Sequence, residues 1–361
     1  MARRLPFTDA MLQHAGCTES VVPLRPLPRR IVALGGGTGL PAVLRSLRRL
    51  FGDDLSPDAI TAIVAVSDEG GSSGRLRNEL RILPPGDVRN CLAALTDEAS
   101  PLTRLLQHRM SGGNLDGHAV GNLLLAALTQ QLDGDFVSAV DTLGRMVGTA
   151  GRVLPATAEQ VRLKAEFASG DVIVGEQAIA TAGRGAIRRL SLEHRVRPLP
   201  QAVEALVNAD VIIVGPGSLY TSLLPVLLVD GVAPTIYGLR ATRVCVANLM
   251  TEPGETEDYS LERHLDVIEH HVGVPLFDYV LANSAPISPG SLERYARNCA
   301  HPVRRRGSRL FIGSARIVER ELAWEVENGK LRHDPRHLAR ALSEIIASSH
   351  AAMPERMAVG Q

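Results

Sequence analysis

Apolar residues in this chain fall in short runs separated by stretches of helical spacing. Residues 31–34, 60–66 and 211–214 are nearly continuous apolar runs, and each leads into a glycine-rich turn. Such runs read as strands buried on both faces, as in a parallel sheet. Residues 41–51, 86–95, 101–110, 118–132, 135–147 and 202–207 read as helices. Further strands are expected near 243–248 and 277–282, and further helices near 260–271, 288–299 and 335–347. Repeated strand–helix units predict an α/β fold with a doubly wound, mostly parallel, Rossmann-like sheet. Residues 160–192 break the alternation. There, 161–167 and 172–174 flank Ala168-Ser169-Gly170-Asp171, and 187–192 adds a third strand, which predicts a small antiparallel insertion. Residues 1–28, with four prolines, are expected to form a flexible extension, 29–350 a single α/β domain, and 351–361 a flexible tail.

The glycine turns carry the candidate chemistry. After the first strand come Gly35, Gly36, Gly37, Thr38 and Gly39, with Pro41 in the first turn of the next helix. A strand, a glycine turn and a helix N-terminus make an anion site, because free N–H groups and the positive end of the helix dipole point at one place. A plain tight turn is the alternative. No Lys follows Gly39, so a Walker A loop is excluded; residues 37–42 fit the dinucleotide pattern G-x-G-x-x-A. The second strand runs into Ser67-Asp68-Glu69-Gly70-Gly71-Ser72-Ser73-Gly74-Arg75-Leu76-Arg77. Paired carboxylates suit a divalent cation such as Mg²⁺, while Gly and Ser N–H groups and arginines suit oxyanions. Asp68 is the candidate metal ligand and catalytic carboxylate, and Gly70, Gly71, Ser72, Ser73 and Arg75 are candidate phosphate contacts. The third turn, Gly215-Pro216-Gly217-Ser218-Leu219-Tyr220-Thr221-Ser222, again joins a strand to a helix. In open α/β sheets ligands bind beyond the carboxyl ends of the strands, so the three turns are expected to line one pocket.

Smaller signals add to these. Asp87, in Pro84-Pro85-Gly86-Asp87-Val88-Arg89-Asn90, is either a helix cap or a ligand contact, with Arg89 and Asn90 beside it. Asn122 opens a helix near His118, which is either structural or an acid/base group. Arg332 is either a phosphate clamp or a surface cation. The 39 basic and 39 acidic residues cancel, which argues against a nucleic-acid partner. No apolar run is long enough to span a bilayer. The four cysteines are far apart, with no C-x-x-C, so a cytoplasmic setting is expected and a structural zinc is not. A homo-oligomer is left open.

Taken in order, LGGGTGL (34–40), SDEGGSSGRLR (67–77), LPPGDVRNCL (83–92), GHAVGNL (117–123), RVLPAT (152–157), GPGSLYTS (215–222) and MTEPGET (250–256) strongly resemble the gluconeogenesis factor family of the CofD-like superfamily. The resemblance covers residues 30–347. It implies a Rossmann-like fold in a cytosolic protein that binds UDP-sugars and supports cell shape and wall synthesis during gluconeogenic growth. It marks Gly36, Gly37, Thr38, Gly39, Asp68, Gly70 to Ser73, and Gly215, Gly217, Ser218, Tyr220, Thr221 and Ser222 as facing the nucleotide and its phosphates. The superfamily also contains 2-phospho-L-lactate transferases. These use Mg²⁺ to move a phospholactyl group from a nucleotide diphosphate carrier to a deazaflavin, and a chemistry of that kind is the alternative function. An NAD-dependent oxidoreductase ranks below both. Glu69 departs from the family pattern, which has a second Asp there. The 3% aromatic content offers few walls for a deazaflavin ring and favours a nucleotide-sugar-binding regulator.

Overall fold

The computed structural model describes residues 30–356, apart from 53–55, 57, 183–184 and 327–328. The expected extension at 1–28 lies outside the described residues. The first half of the fold is β1 (Ile31–Gly35), α1 (Gly39–Phe51), β2 (Ile60–Val64), α2 (Gly71–Leu80), α3 (Gly86–Ala94), α4 (Pro101–Gln107), α5 (Val120–Gln131), α6 (Phe136–Val147) and β3 (Arg152–Pro155). Strands β4 (Leu163–Phe167), β5 (Val172–Val174) and β6 (Ile187–Leu192) then form a separate three-stranded antiparallel sheet. The chain returns through β7 (Val211–Val214), β8 (Thr242–Val246), β9 (Tyr279–Asn283), β10 (Phe311–Ile312) and β11 (Ala315–Arg320). A hairpin of β12 (Ala323–Glu325) and β13 (Leu331–His333) precedes the final helix, Pro335–Arg356.

The main sheet has the order β10-β11-β9-β8-β7-β1-β2-β3, and every neighbouring pair is parallel except β10–β11. From β1 the chain builds outward through β2 to β3, then crosses to the other side of β1 and builds β7, β8, β9 and β11. The winding direction therefore reverses between β1 and β7. Register places Leu34 beside Val214 and Gly35 beside Val64, so the turns after β1, β2 and β7 leave the same edge of the sheet.

Burial follows from this layering. β1, β2 and β7 are buried at every position, because both faces are covered. β4 alternates buried and exposed or half-buried residues, as a strand with one covered face must. The antiparallel sheet is tied to the helix Leu261–Val272 by the Leu190 N–H, which donates to His271 Nε2 at 2.9 Å. No single helix among the described residues is long and apolar enough to cross a membrane.

The α/β class, the parallel sheet and the antiparallel insertion stand as expected. Several local details differ. The second glycine segment is not one loop, since α2 starts at Gly71 and takes in everything through Arg77. Strand β3 was not expected from RVLPAT; four residues ending in proline are too short to show a period. The hairpins at 311–320 and 323–333 were also missed, because their strands are of two to six residues with mixed polarity. The last helix runs past its expected end at 347, through Arg356.

Candidate functional site

The three turns meet at the sheet edge where the winding reverses, and they line two adjacent cavities instead of the single expected pocket. The larger, of about 740 Å³, takes Gly37, Thr38, Gly39 and Ala42 from the start of α1. Pro216, Gly217, Ser218 and Ser222 follow from the turn after β7. The segment after β8 adds residues 248–253, and β13 adds Leu331, Arg332 and His333. The smaller, of about 280 Å³, is lined by Asp68, Gly70, Gly71, Ser72, Ser73, Gly86, Asp87, Arg89, Asn90, Arg109 and Asn122.

Close backbone contact explains the glycines between β1 and α1. A Cβ on Gly39 would sit 2.2 Å from the Pro216 carbonyl oxygen, so only glycine lets the β1 and β7 turns pack together. Gly37 has φ +62°, a left-handed conformation that favours glycine. Its N–H donates to Asp87 Oδ2 at 2.7 Å, which bridges the two cavities. Asn248 holds the other turn from both sides: its Oδ1 accepts from Gly217 N–H (3.0 Å) and its Nδ2 donates to Gly217 O (2.9 Å).

No side chain caps α1, α2 or α3. Helices starting at Pro101, Phe136, Leu261 and Pro289 are capped by Ser100, Asp135, Ser260 and Ser288, while those starting at Glu176, Pro200 and Val232, away from the cavities, are uncapped as well. The helices that open on the cavities thus leave first-turn N–H groups for a ligand, with the dipole favouring an anion. Two such helix starts, α2 and α3, face the smaller cavity.

The polar groups of the smaller cavity form a connected set. Buried Arg89 donates from Nη1 to Asn122 Oδ1 (3.1 Å) and from Nη2 to Asn90 Oδ1 (2.6 Å). Asn122 donates to Ser72 Oγ (3.0 Å), which bonds His118 Nδ1 (3.0 Å). Burial lowers the Arg89 guanidinium to about 10, and its Nε, also buried, has no partner among the described residues. Burial lowers the His118 pKa as well, with the charge of Arg75 adding to that shift. Burial pushes the Asp87 carboxyl up to about 6; the Gly37 N–H opposes that shift and the charge of Asp68 adds to it. Asp68 itself caps the turn, accepting from Gly70 N–H at 2.9 Å. Glu69 is turned away: its carboxylate pairs with Arg162 (3.3 Å) and Arg77 (3.7 Å). The acidic pair facing the cavity is therefore Asp68 and Asp87. Among the described residues, no three His, Cys, Asp or Glu side chains gather as a metal cluster.

The remaining expected site residues are placed as follows. Gly36 and Gly215 are buried beneath the turns, and a Cβ on Gly36 would meet Asp87 Oδ2 at 2.8 Å. Tyr220 lines neither cavity. It is wholly buried, and its hydroxyl bonds Tyr259 (3.0 Å) and Ile187 O (3.5 Å), because the turn winds into a π-helical segment that directs it into the core. Thr221 also lines neither cavity and donates to Glu255 Oε1 (3.4 Å). Arg75 is exposed and donates to Asp116 O (2.6 Å). Arg332 lines the larger cavity and pairs with no carboxylate among the described residues. Arg109, Asn248, Glu252 and His333 were not anticipated. The MTEPGET signal marked the neighbourhood of Glu252 without assigning it a task.

Comparison with known proteins agrees with the fold. The family model of the 2-phospho-L-lactate transferase CofD matches residues 31–322. A gluconeogenesis factor of Halalkalibacterium halodurans is 44% identical over 276 residues, which is 76% of this chain and 84% of that protein. The gluconeogenesis factor of Bacillus subtilis is 40% identical over 318 residues, 88% of this chain and 98% of that protein. The crystal structure of a UPF0052 family member from Bacillus halodurans superposes with a TM-score of 0.81 at 41% identity, over 87% of this chain and 99% of that one. The chain belongs to the CofD family and, within it, to the gluconeogenesis factors.

Proposed function

We propose that this chain binds a nucleotide sugar, a uridine diphosphate sugar such as UDP-N-acetylglucosamine or UDP-glucose, and acts as a regulator. The observation that carries this reading is the larger cavity. It lies at the β1/β7 reversal, where open α/β sheets bind nucleotides. Its volume of about 740 Å³ suits a ligand of that size. The uncapped start of α1 and the guanidinium of Arg332, which pairs with no carboxylate among the described residues, supply charge for a diphosphate. The resemblance to the family adds the wider role, support of cell shape and wall synthesis in the cytoplasm during gluconeogenic growth. Calorimetry with UDP-N-acetylglucosamine, UDP-glucose, NAD and ATP tests the reading. UDP-sugar binding is expected. NAD binding without UDP-sugar binding overturns it in favour of an oxidoreductase.

The smaller cavity favours a second reading, a Mg²⁺-dependent phospholactyl transferase. Mg²⁺ takes one or two carboxylates and completes its shell with water and phosphate oxygens. Asp68 and Asp87 fit that mode, since both line the cavity; burial raises the Asp87 carboxyl, and the charge of Asp68 adds to that shift. Mg²⁺ there would neutralise diphosphate charge as the phosphoanhydride bond of the carrier breaks and the nucleoside monophosphate leaves. Glu69, held by Arg77 and Arg162, would not take part.

A further inference from the structure

A Rossmann site reads the nucleotide ribose with a carboxylate at the end of its second strand. In this chain that place is taken. Of the two acids after β2, Asp68 lines the smaller cavity and Glu69 is paired with Arg77 and Arg162. Neither faces the cavity at the β1/β7 reversal. The acids that do are Glu252 and Glu257, from the segment after β8.

Glu252 is the better placed of the two. It is half-buried, whereas Glu257 is exposed and its carboxylate accepts from Gly254 N–H at 2.9 Å. The Glu252 backbone is fixed: its N–H donates to Thr256 Oγ1 (2.8 Å) and its carbonyl accepts from Thr256 N–H (2.9 Å). Burial raises the Glu252 carboxyl, and the nearby side chain of Ser218, a residue of the β7 turn, opposes that shift. Among the described residues no Arg, Lys or His lies within ion-pair distance of it. Neighbouring Glu255 is held up to about 8 by burial and by the charge of Glu252, so near pH 7 it adds little negative charge of its own. His333, also on this cavity, donates to Ala247 O (3.1 Å) and is held neutral by burial. A carboxylate without a cation repels phosphate and accepts hydroxyl donors. The start of α1 and Arg332 are the groups in the same cavity that suit an anion. The cavity therefore has one set of groups for phosphate and another for a diol.

We infer that Glu252, fixed by the Glu252–Thr256 turn in the cavity that Ser218 also lines, reads the ribose 2′,3′-diol of the bound nucleotide and so sets its preference for ribonucleotides. This rests on the nucleotide-binding reading above and names the specificity-determining residue of that site.

The test measures calorimetric affinity of the full-length protein for UDP-N-acetylglucosamine, its 2′-deoxyuridine counterpart, UDP and dUDP. The wild type should lose about tenfold or more on removal of the 2′-hydroxyl, the effect of a hydrogen bond to a charged group, with or without the sugar attached. Glu252→Gln should weaken binding of the ribose form by a similar factor and bind the deoxy form as the wild type does. Ser218→Ala should lie between them. Equal wild-type affinity for ribose and deoxyribose forms overturns the inference and leaves the nucleotide reading standing. So does unchanged discrimination in Glu252→Gln. A preference that vanishes when the hexose is removed overturns the ribose assignment in favour of the hexose hydroxyls. Failure of the wild type to bind any of the four overturns the nucleotide reading itself.

Discussion

The two cavities share one sheet edge and differ in what they are built to hold. The larger lies between the β1 and β7 turns and has mixed walls: glycine backbone, Leu249, Met250 and Tyr295, with Glu252, Glu257 and Arg332 as its charged residues. The smaller lies between the starts of α2 and α3 and is almost wholly polar, with Asp68, Asp87, Arg89 and Arg109 crowded into about 280 Å³. A roomy, partly apolar site selects a ligand by shape and a few directed contacts. A small site of opposed charges handles charge, through an oxyanion or a cation with its phosphates. The two touch through one hydrogen bond, from Gly37 N–H to Asp87. If the cavities act separately, substitutions in one should leave the other's behaviour unchanged, and four substitutions test this.

Gly39→Ala should have the largest effect. The added methyl would lie 2.2 Å from the Pro216 carbonyl, a backbone atom fixed by the packing of two turns. Overpacking of this kind costs about 1–3 kcal/mol. The turns must part, so the larger cavity is deformed, and UDP-sugar affinity should fall by up to about 100-fold. Calorimetry and a melting curve together check it. Unchanged affinity would mean that these turns do not hold the nucleotide.

Asp87→Asn acts on the smaller cavity and is read as stability. Asp87 has a folded pKa of about 6, against 3.8 for a free carboxyl, because burial disfavours its charge. Folding thus favours the protonated form. The associated stability is fully present below pH 4 and is lost as pH rises through 6. Asn carries no charge, so above pH 6 the variant should be the more stable by up to about 3 kcal/mol, and the gap should close below pH 4. Melting temperatures at pH 4 and pH 7.5 decide this. Added Mg²⁺ should narrow the gap at the higher pH if Asp68 and Asp87 hold the cation; a gap that ignores pH would refute the buried charge.

Arg332→Gln separates the alternatives that its position in the sequence left open. As a phosphate clamp in the larger cavity, it should contribute a charge-assisted bond, and its loss should weaken UDP-sugar binding about tenfold. As a surface cation, its loss should be silent. Because the residue is exposed, melting temperature should not move.

What was legible in the sequence divides along the same line. The buried strands β1, β2 and β7 announce themselves as apolar runs, and glycine turns after them locate the sheet edge. Which turn faces which cavity was not legible, because that depends on where each helix begins. Once α2 starts at Gly71, the second turn is drawn towards α3 and away from β7. Glu69 looked like half of a metal pair, but its partners Arg77 and Arg162 lie 8 and 93 residues away, and only the fold brings the second one near. Tyr220 looked like a ligand contact because it sits among Gly, Ser and Thr. A one-residue change in helical winding is enough to bury it, and no sequence period records that. Asn248 and Glu252 reach the site because β8 lies beside β7 in the sheet, and His333 comes from the separate β12–β13 hairpin.

Asp68→Asn should have the smallest effect on nucleotide affinity, and it sharpens the contrast most. Asp68 lines the smaller cavity alone, and the Asn side-chain oxygen can keep the bond that Asp68 Oδ1 takes from Gly70 N–H, so the start of α2 should hold its shape. If the larger cavity binds the nucleotide by itself, UDP-sugar affinity should stay within about threefold of the wild type, less than 1 kcal/mol. A transferase would behave differently. The carboxylate would position the cation that neutralises the diphosphate during bond cleavage, so product formation would collapse even where ground-state binding survived. The regulatory reading expects no phospholactyl transfer to a deazaflavin by the wild type in the presence of Mg²⁺. Transfer by the wild type that disappears in Asp68→Asn would join the two cavities into one catalytic site, with the donor nucleotide in the larger and the reacting phosphate in the smaller. A large loss of UDP-sugar affinity without any transfer would join them in a different way, by placing part of the bound diphosphate against Asp68 through a cation.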